Sequence, residues 1–148
     1  TISTGSEPLT AQGGAATGPG RAVIDRKAAN GTLKATFSVT GSAALRLGAA
    51  LATTMSVDGN VAAVVLKITS GQITLDVADN GASVLTTKAS QSGTFTSGEA
   101  TLAVNGKQVT ATVAGTTISC TLTGNPVGTL WGLWLYAGTT VDRFEVTA

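Results

Sequence analysis

The segment from Glu99 to Leu122, EATLAVNGKQVTATVAGTTISCTL, constrains the fold more than any other part of the chain. Apolar and polar residues alternate along it, as they do in a strand with one buried face. The alternation breaks at Asn105-Gly106 and at Ala114-Gly115. Asn-Gly between two alternating runs predicts a hairpin, because both central residues of a type I′ turn need φ > 0. The segment therefore predicts a three-stranded antiparallel meander, whose apolar face needs a second sheet to cover it.

The rest of the chain supplies strands for that second sheet. Alternation is clearest in Gly31–Thr40 and Gln72–Ala78, and the nearly continuous apolar run Val61–Ile68 indicates a central strand covered on both sides. Two further strands are predicted at Leu130–Tyr136 and Val141–Thr147. Short strands separated by turns every 8–12 residues or so predict an all-β fold, an antiparallel β-sandwich of Greek-key or jelly-roll type.

The first twenty residues differ from the rest. Residues 1–20 are rich in Gly, Ser, Thr and Pro and have no hydrophobic period. They predict a flexible N-terminal arm, followed by a single β-sandwich domain at residues 21–148. Two interpretations of the arm remain open: a linker that orders only against something else, or an assembly arm that lies on a neighbouring subunit.

Charge and hydropathy exclude several partners. Nine Lys and Arg stand against eight Asp and Glu, for a net charge of +1, and no basic stripe predicts nucleic-acid binding. No apolar run approaches the roughly 18–20 residues of a transmembrane helix, so membrane insertion is not predicted. No signal peptide is visible, and two interpretations of the start at Thr1 remain open: removal of an initiator Met or removal of a signal. The single cysteine, Cys120, cannot form an internal disulfide.

The sequence predicts no catalytic residues and no cofactor. The chain has no His, so a Ser-His-Asp triad, an imidazole metal ligand and a general base near neutral pH all lack their usual side chain. A retaining glycosidase needs two carboxylates about 5–5.5 Å apart. No two of the eight acids lie two residues apart on one strand; they are Glu7, Asp25, Asp58, Asp76, Asp79, Glu99, Asp142 and Glu145. The chain is therefore predicted not to be an enzyme.

Two acidic segments have side chains that could bind calcium. Asp58-Gly59-Asn60 and Asp79-Asn80-Gly81 offer oxygen ligands, which hard cations prefer. Both segments also have the composition of turns, in which Asn and Gly supply positive φ. The turn interpretation is the simpler one, so no metal site is predicted.

The candidate contact residues are Trp131, Trp134 and Tyr136. In an extended strand, Trp131 shares a face with Leu133 and Leu135, while Trp134 and Tyr136 share the other face. If the two leucines are in the core, Trp134 and Tyr136 are exposed and suited to stacking on a sugar ring or anchoring a protein contact. The alternative is that they cap the sandwich edge beneath the N-terminal arm.

Three segments of the second half carry a family resemblance: QITLDVADNGASVL, TLAVNGKQVTATVAGTTI and GLWLYAGTTVDRFEV. In this order they resemble the concanavalin A-like lectin/glucanase superfamily in its LamG-like form. That form commonly has a strand, Asn-Gly, a strand, Gly-Thr and a strand, followed by a Gly-Leu strand and a closing Asp-x-Phe-x-Val strand. The opening RAVIDRKAANGTLKATFSV resembles the early strand pair of the superfamily, so the resemblance covers roughly residues 21–148. It implies a concanavalin A-like jelly roll and little about activity.

The resemblance also implies two kinds of function. This chain is rich in Ala, Thr and Gly and has no His. A jelly-roll module of that composition resembles the minor tail and decoration proteins of bacteriophages. This implies a non-enzymatic protein of the virion surface, a tail or head decoration module. Its partners would be other virion proteins, further copies of itself and, in host adhesion, a cell-surface glycan.

The alternative is a carbohydrate-binding, lectin-like module of a secreted bacterial protein. In the superfamily, one strand usually carries Arg and Asp over the concave face. Here that strand reads LRLGAALATTMSV, mostly Ala and Thr, which argues against a sugar site on that face.

Overall fold

The computed structural model of the chain describes residues 2–4, 10–12, 15–17, 20–25, 28–41, 44–51, 63–78, 86–124, 126, 128–135 and 138–147. These residues form fourteen strands. The strands are β1 (Ile2–Thr4), β2 (Thr10–Gln12), β3 (Ala15–Thr17), β4 (Gly20–Asp25), β5 (Gly31–Val39), β6 (Ala44–Leu51), β7 (Ala63–Thr69), β8 (Gln72–Ala78), β9 (Thr86–Ser92), β10 (Ser97–Asn105), β11 (Gln108–Val113), β12 (Thr116–Thr121), β13 (Leu130–Leu135) and β14 (Thr139–Thr147).

The strands form two antiparallel sheets of seven strands each. The first sheet has the order β1-β4-β13-β6-β7-β8-β9, and the second has the order β12-β11-β10-β5-β14-β3-β2. Strands distant in sequence are neighbours in both sheets: β13 lies between β4 and β6, and β5 lies between β10 and β14. The prediction of an all-β antiparallel sandwich is confirmed.

The core lies between the two sheets and follows from the alternation in the sequence. Every second residue of β5 is buried, and the buried residues on the facing sides of the two sheets form one continuous apolar cluster. Each fully buried large aliphatic side chain contributes about 1.5–3 kcal/mol relative to an exposed one. The largest completely buried side chains are Trp131, Leu33, Leu45, Leu47, Leu51, Leu66, Ile68, Ile73, Leu75, Leu102, Leu133 and Leu135.

The predicted meander is present as β10, β11 and β12, but its turns differ from the prediction. Asn105 pairs with Gln108, so the two loop residues are Gly106 and Lys107. Gly106 has φ 62° and Lys107, the second loop residue, does not have a positive φ, which is the pattern of a type II′ turn. The type I′ turn predicted at Asn105-Gly106 is therefore wrong. Both φ values are positive instead at Ala114-Gly115, 48° and 88°.

Strands β1, β2 and β3 lie within the segment that the sequence predicts as an arm. β1 pairs with β4 in the first sheet, while β3 pairs with β14 and β2 with β3 in the second. Strands of three residues are too short to show a hydrophobic period, and edge pairing needs only backbone donors and acceptors. The described parts of residues 1–20 thus extend both sheets, and the flexibility of this segment in solution stays a prediction.

The two candidate calcium segments, 58–60 and 79–81, lie outside the described residues. Within the described residues, no group of three or more Cys, Asp or Glu side chains could hold a metal ion. The same residues contain no helix that is long and apolar enough to cross a membrane.

Candidate functional site

Trp131 belongs to the core and not to the surface. It is 0% exposed and lies in the cluster between the sheets, together with Leu133 and Leu135. Its Nε1–H donates a hydrogen bond to the carbonyl oxygen of Ala28, at 3.1 Å. A fully buried side chain cannot contact a ligand, so the prediction of Trp131 as a contact residue is corrected: it is a structural residue.

Trp134 lies on the opposite, outer face of the first sheet, as its parity predicts, but it is only 5% exposed. It forms a small apolar cluster with Leu51 and Val65. Its indole also lies against Gly48, where a Cβ atom would come within 3.0 Å of Cζ3 of Trp134. The ring is therefore set into the sheet face and is not a free stacking platform. Tyr136, the third predicted contact residue, lies outside the described residues.

Two rows of side chains cross the outer face of the first sheet, and Trp134 belongs to one of them. Residues directly opposite each other on antiparallel strands share a face, so the strand register defines each row. The cationic row consists of Trp134, Arg46, Lys67, Thr74 and Ser90, on β13, β6, β7, β8 and β9. The glycine row, next to it, consists of Gly132, Gly48, Val65, Asp76 and Thr87 on the same five strands.

A shallow polar depression lies where the two rows cross β7, β8 and β9. Its volume is about 150 Å³, and it is lined by Lys67, Thr69, Gln72, Thr74, Asp76 and Thr87. Oδ1 of Asp76 accepts a hydrogen bond from the Thr87 hydroxyl at 2.7 Å. The Thr74 hydroxyl oxygen is buried and has no hydrogen-bond partner among the described residues. The depression thus offers an ammonium donor, a carboxylate acceptor, an amide and hydroxyls on a small area.

The carboxylates whose side chains the structure describes are Asp76, Glu99, Asp142 and Glu145, and they are spread over both sheets. In the two rows, Asp76 is the one carboxylate. Glu99 lies in the second sheet, with an oxygen 3.6 Å from Nζ of Lys34. Asp142 and Glu145 are on β14 in that same sheet. The described side chains of this face therefore do not supply the two neighbouring carboxylates that glycoside hydrolysis usually needs.

The outer face of the second sheet is also polar, but its side chains bond to one another. Thr112 and Thr117 share a hydrogen bond of 2.9 Å between their hydroxyls. The Gln108 amide donates to the Thr121 hydroxyl at 3.2 Å. These cross-strand pairs stabilise the sheet.

No protein-family model and no curated protein matches the chain. Solved structures do match it over most of its length. The carbohydrate-binding module CBM66 from Bacillus subtilis is similar over 99% of this chain and 95% of its own, with 11% identity and a TM-score of 0.70. The CBM2 module of Lactobacillus casei BL23 phage J-1 evolved Dit is similar over 95% of this chain and 79% of its own, with 13% identity and a TM-score of 0.60.

An enzyme has the same architecture. The Bacillus licheniformis β-glucanase is similar over 87% of this chain and 71% of its own, with 9% identity and a TM-score of 0.58. At such identities the similarity shows the fold and not the function. The chain has the concanavalin A-like jelly-roll fold that the sequence predicts.

Proposed function

We propose that this chain is a non-enzymatic binding module that recognises carbohydrate with the outer face of its first sheet. The observation that carries the proposal is the depression on β7, β8 and β9, where Lys67, Asp76 and Thr87 present donors and acceptors of both kinds. Sugar hydroxyls both donate and accept hydrogen bonds, so a mixed set of this kind suits them. A face built from sheet strands is also rigid, which limits the ordering cost of binding.

Similarity to the carbohydrate-binding module from Bacillus subtilis supports this function, because it extends over nearly the whole of both chains. The enzyme neighbours do not favour hydrolysis by this chain. Its two rows hold the single carboxylate Asp76, whereas glycoside hydrolysis usually needs a pair. The module would act on the surface of a secreted protein or of a virion.

The double variant Gln72→Ala/Thr87→Ala is expected to weaken glycan binding at least about tenfold, since it removes two side chains that line the depression. Both residues are exposed, so the fold should persist. Affinity electrophoresis against soluble polysaccharides measures the effect, with mixed-linkage β-glucan, galactomannan and dextran as neutral probes and alginate and polygalacturonate as acidic ones.

The matched control is Gln108→Ala/Thr110→Ala, which removes the same two residue types from the outer face of the second sheet. It should bind as the unmodified chain does. Equal losses in both double variants would place the site elsewhere. If none of the five polysaccharides retards the chain, carbohydrate recognition of this kind is contradicted.

A structural role on the virion surface is the second candidate function. It is favoured by similarity over 95% of this chain to a module of phage J-1 Dit. Its partners would be other virion proteins and further copies of this chain. Such a role is compatible with glycan binding, because an adhesion module needs both an attachment to the particle and a face toward the host.

If the chain assembles with itself, its mass in solution is expected to be a whole multiple of the single-chain mass. Most soluble homo-oligomers are closed and symmetric, so one discrete multiple should dominate. Light scattering after size-exclusion chromatography, at several protein concentrations, measures this. A single-chain mass at every concentration would count against self-assembly.

A further inference from the structure

One hydrogen bond joins two of the Asn-Gly pairs of this chain. The Gly106 N–H donates to Oδ1 of Asn30 at 2.9 Å, and Asn30 is itself followed by Gly31. Asn105, the residue before Gly106, is exposed at the end of β10. The backbone nitrogen of one Asn-Gly pair is thus held by the side-chain amide of the other.

An Asn-Gly pair can modify itself without an enzyme, because glycine has no side chain to shield its nitrogen. Here the Gly106 nitrogen would form a bond to Cγ of Asn105 while the Cγ–Nδ2 bond breaks. The proton of the Gly106 N–H leaves with Nδ2 as ammonia, and the product is a five-membered succinimide ring. Water then adds to one of the two ring carbonyl groups and opens the ring, which leaves aspartate or isoaspartate at position 105.

The Gly106 nitrogen is held away from this reaction. It must lose its proton to attack, and that proton is bound to Oδ1 of Asn30. The oxygen of a neutral side-chain amide accepts a hydrogen bond but is not a base that removes the proton. Asn105 also pairs with Gln108 in the β10–β11 ladder, which fixes the backbone on the other side of the bond that would react. The attack therefore requires a local opening of the turn.

Solvent reaches this part of the molecule. The Gly106–Asn30 hydrogen bond is exposed, and such bonds open at a lower free-energy cost than the whole domain. Beside it lies an open cleft of about 300 Å³, lined by Ala28, Ala29, Asn30, Gly106 and Pro126. A succinimide formed during an opening would meet the water that hydrolyses it.

We propose that Asn105 is a site of spontaneous deamidation and that Asn30 slows the reaction by holding the Gly106 N–H. Isoaspartate adds one carbon atom to the main chain, so its formation would break the pairing of position 105 with Gln108. The lifetime of the β10–β11 hairpin would then depend on a residue that lies just before β5. This inference is independent of carbohydrate binding.

The first test compares the unmodified chain folded in buffer with the same chain unfolded in urea, both at mildly alkaline pH. Peptide mapping by mass spectrometry follows the conversion of Asn105. Its deamidation should be at least about tenfold slower in the folded chain, because the ladder and the hydrogen bond must both open first. Hydrogen exchange of the Gly106 amide should be slowed as well, since it needs the same opening.

The second test removes the acceptor. Asn30→Ala should raise the deamidation rate of Asn105 in the folded chain at least about threefold, as expected for the loss of one hydrogen bond. The matched control is Asn30→Asp, whose carboxylate still accepts from the Gly106 N–H, so its rate should not exceed that of the unmodified chain. The β5 amides should exchange equally slowly in all three chains, which distinguishes a change at the turn from a general loss of stability.

Four results would overturn the proposal. Equal rates in the folded and the unfolded chain would mean that the fold gives no protection, and no conversion in urea would mean that Asn105 is not a site at all. Equal acceleration in the two variants would mean that the acceptor at position 30 is not what slows the reaction. Faster exchange of the Gly106 amide in Asn30→Ala without faster deamidation would exclude the same role. The first comparison uses the unmodified chain, so it decides even if a variant does not fold.

Discussion

Replacing Trp131 with alanine is expected to lower the free energy of unfolding by about 3–5 kcal/mol. The indole is completely buried between the sheets, and it contacts the Gly31 position, where a Cβ atom would lie 3.3 Å from Cζ2 of the ring. Its removal leaves a large cavity and also leaves the Ala28 carbonyl without its donor. Since small domains have stabilities of about 5–15 kcal/mol, the variant should unfold at a markedly lower urea concentration.

Two further variants test the reason for that loss. Trp131→Phe keeps most of the ring in the core and loses the hydrogen bond to Ala28, so its loss should fall between zero and that of the alanine variant. Lys107→Ala, at an exposed turn position, should change the stability by less than about 0.5 kcal/mol. A loss below about 1 kcal/mol for Trp131→Ala would contradict its place in the core.

The sequence predicts the layers of this fold well, because a strand has a side-chain period of two. Parity alone assigned Trp131 to the side of Leu133 and Leu135 and put Trp134 on the other side, as the structure has them. Parity does not give exposure. The burial of Trp134 depends on Gly48, which lies across the β6–β13 pairing and leaves room for the indole. That partnership becomes visible only once the strand order is known.

Local sequence does not predict the candidate site, for the same reason. Arg46 lies in a segment of mostly Ala and Thr, and neither Lys67 nor Asp76 belongs to a motif that indicates a contact residue. Each is a charged residue at an outward position of its strand, and on β6 and β7 the other residues are mostly apolar, a signal that the sequence does contain. Their convergence is a property of the β6-β7-β8 order in the sheet. Charged residues at outward positions of neighbouring strands are therefore the sequence signal that indicates this face.

Turn type shows a further limit of local sequence. Asn-Gly predicts a type I′ turn, but the structure shifts the loop by one residue to Gly106-Lys107. A long-range contact accompanies that shift: the Gly106 N–H donates to Oδ1 of Asn30 at 2.9 Å. Asn30 lies just before β5, far from the hairpin in sequence. Local propensity predicts that a turn occurs here. Contacts with residues distant in sequence, such as Asn30, help to decide the register of that turn.

Gly128→Ala is expected to cost about 3 kcal/mol or more, or to prevent folding. A Cβ atom at this position would overlap the carbonyl group of Ala50 and the backbone of Leu51. Backbone atoms cannot move aside as the end of a flexible side chain can. Ala50 already has φ 50°, an unfavourable backbone conformation for a residue with a side chain.

The matched control is Gly71→Ala, at an exposed turn where nothing lies within 4 Å of the added Cβ atom, and its stability should change by less than about 0.5 kcal/mol. Urea unfolding of both variants measures the difference. Gly128 lies two residues before β13, the strand that carries both tryptophans, so its close approach to β6 holds one end of that strand against its neighbour. Equal stabilities of the two variants would mean that this segment does not lie against Leu51, and the placement of β13 beside β6 would have to be revised with it.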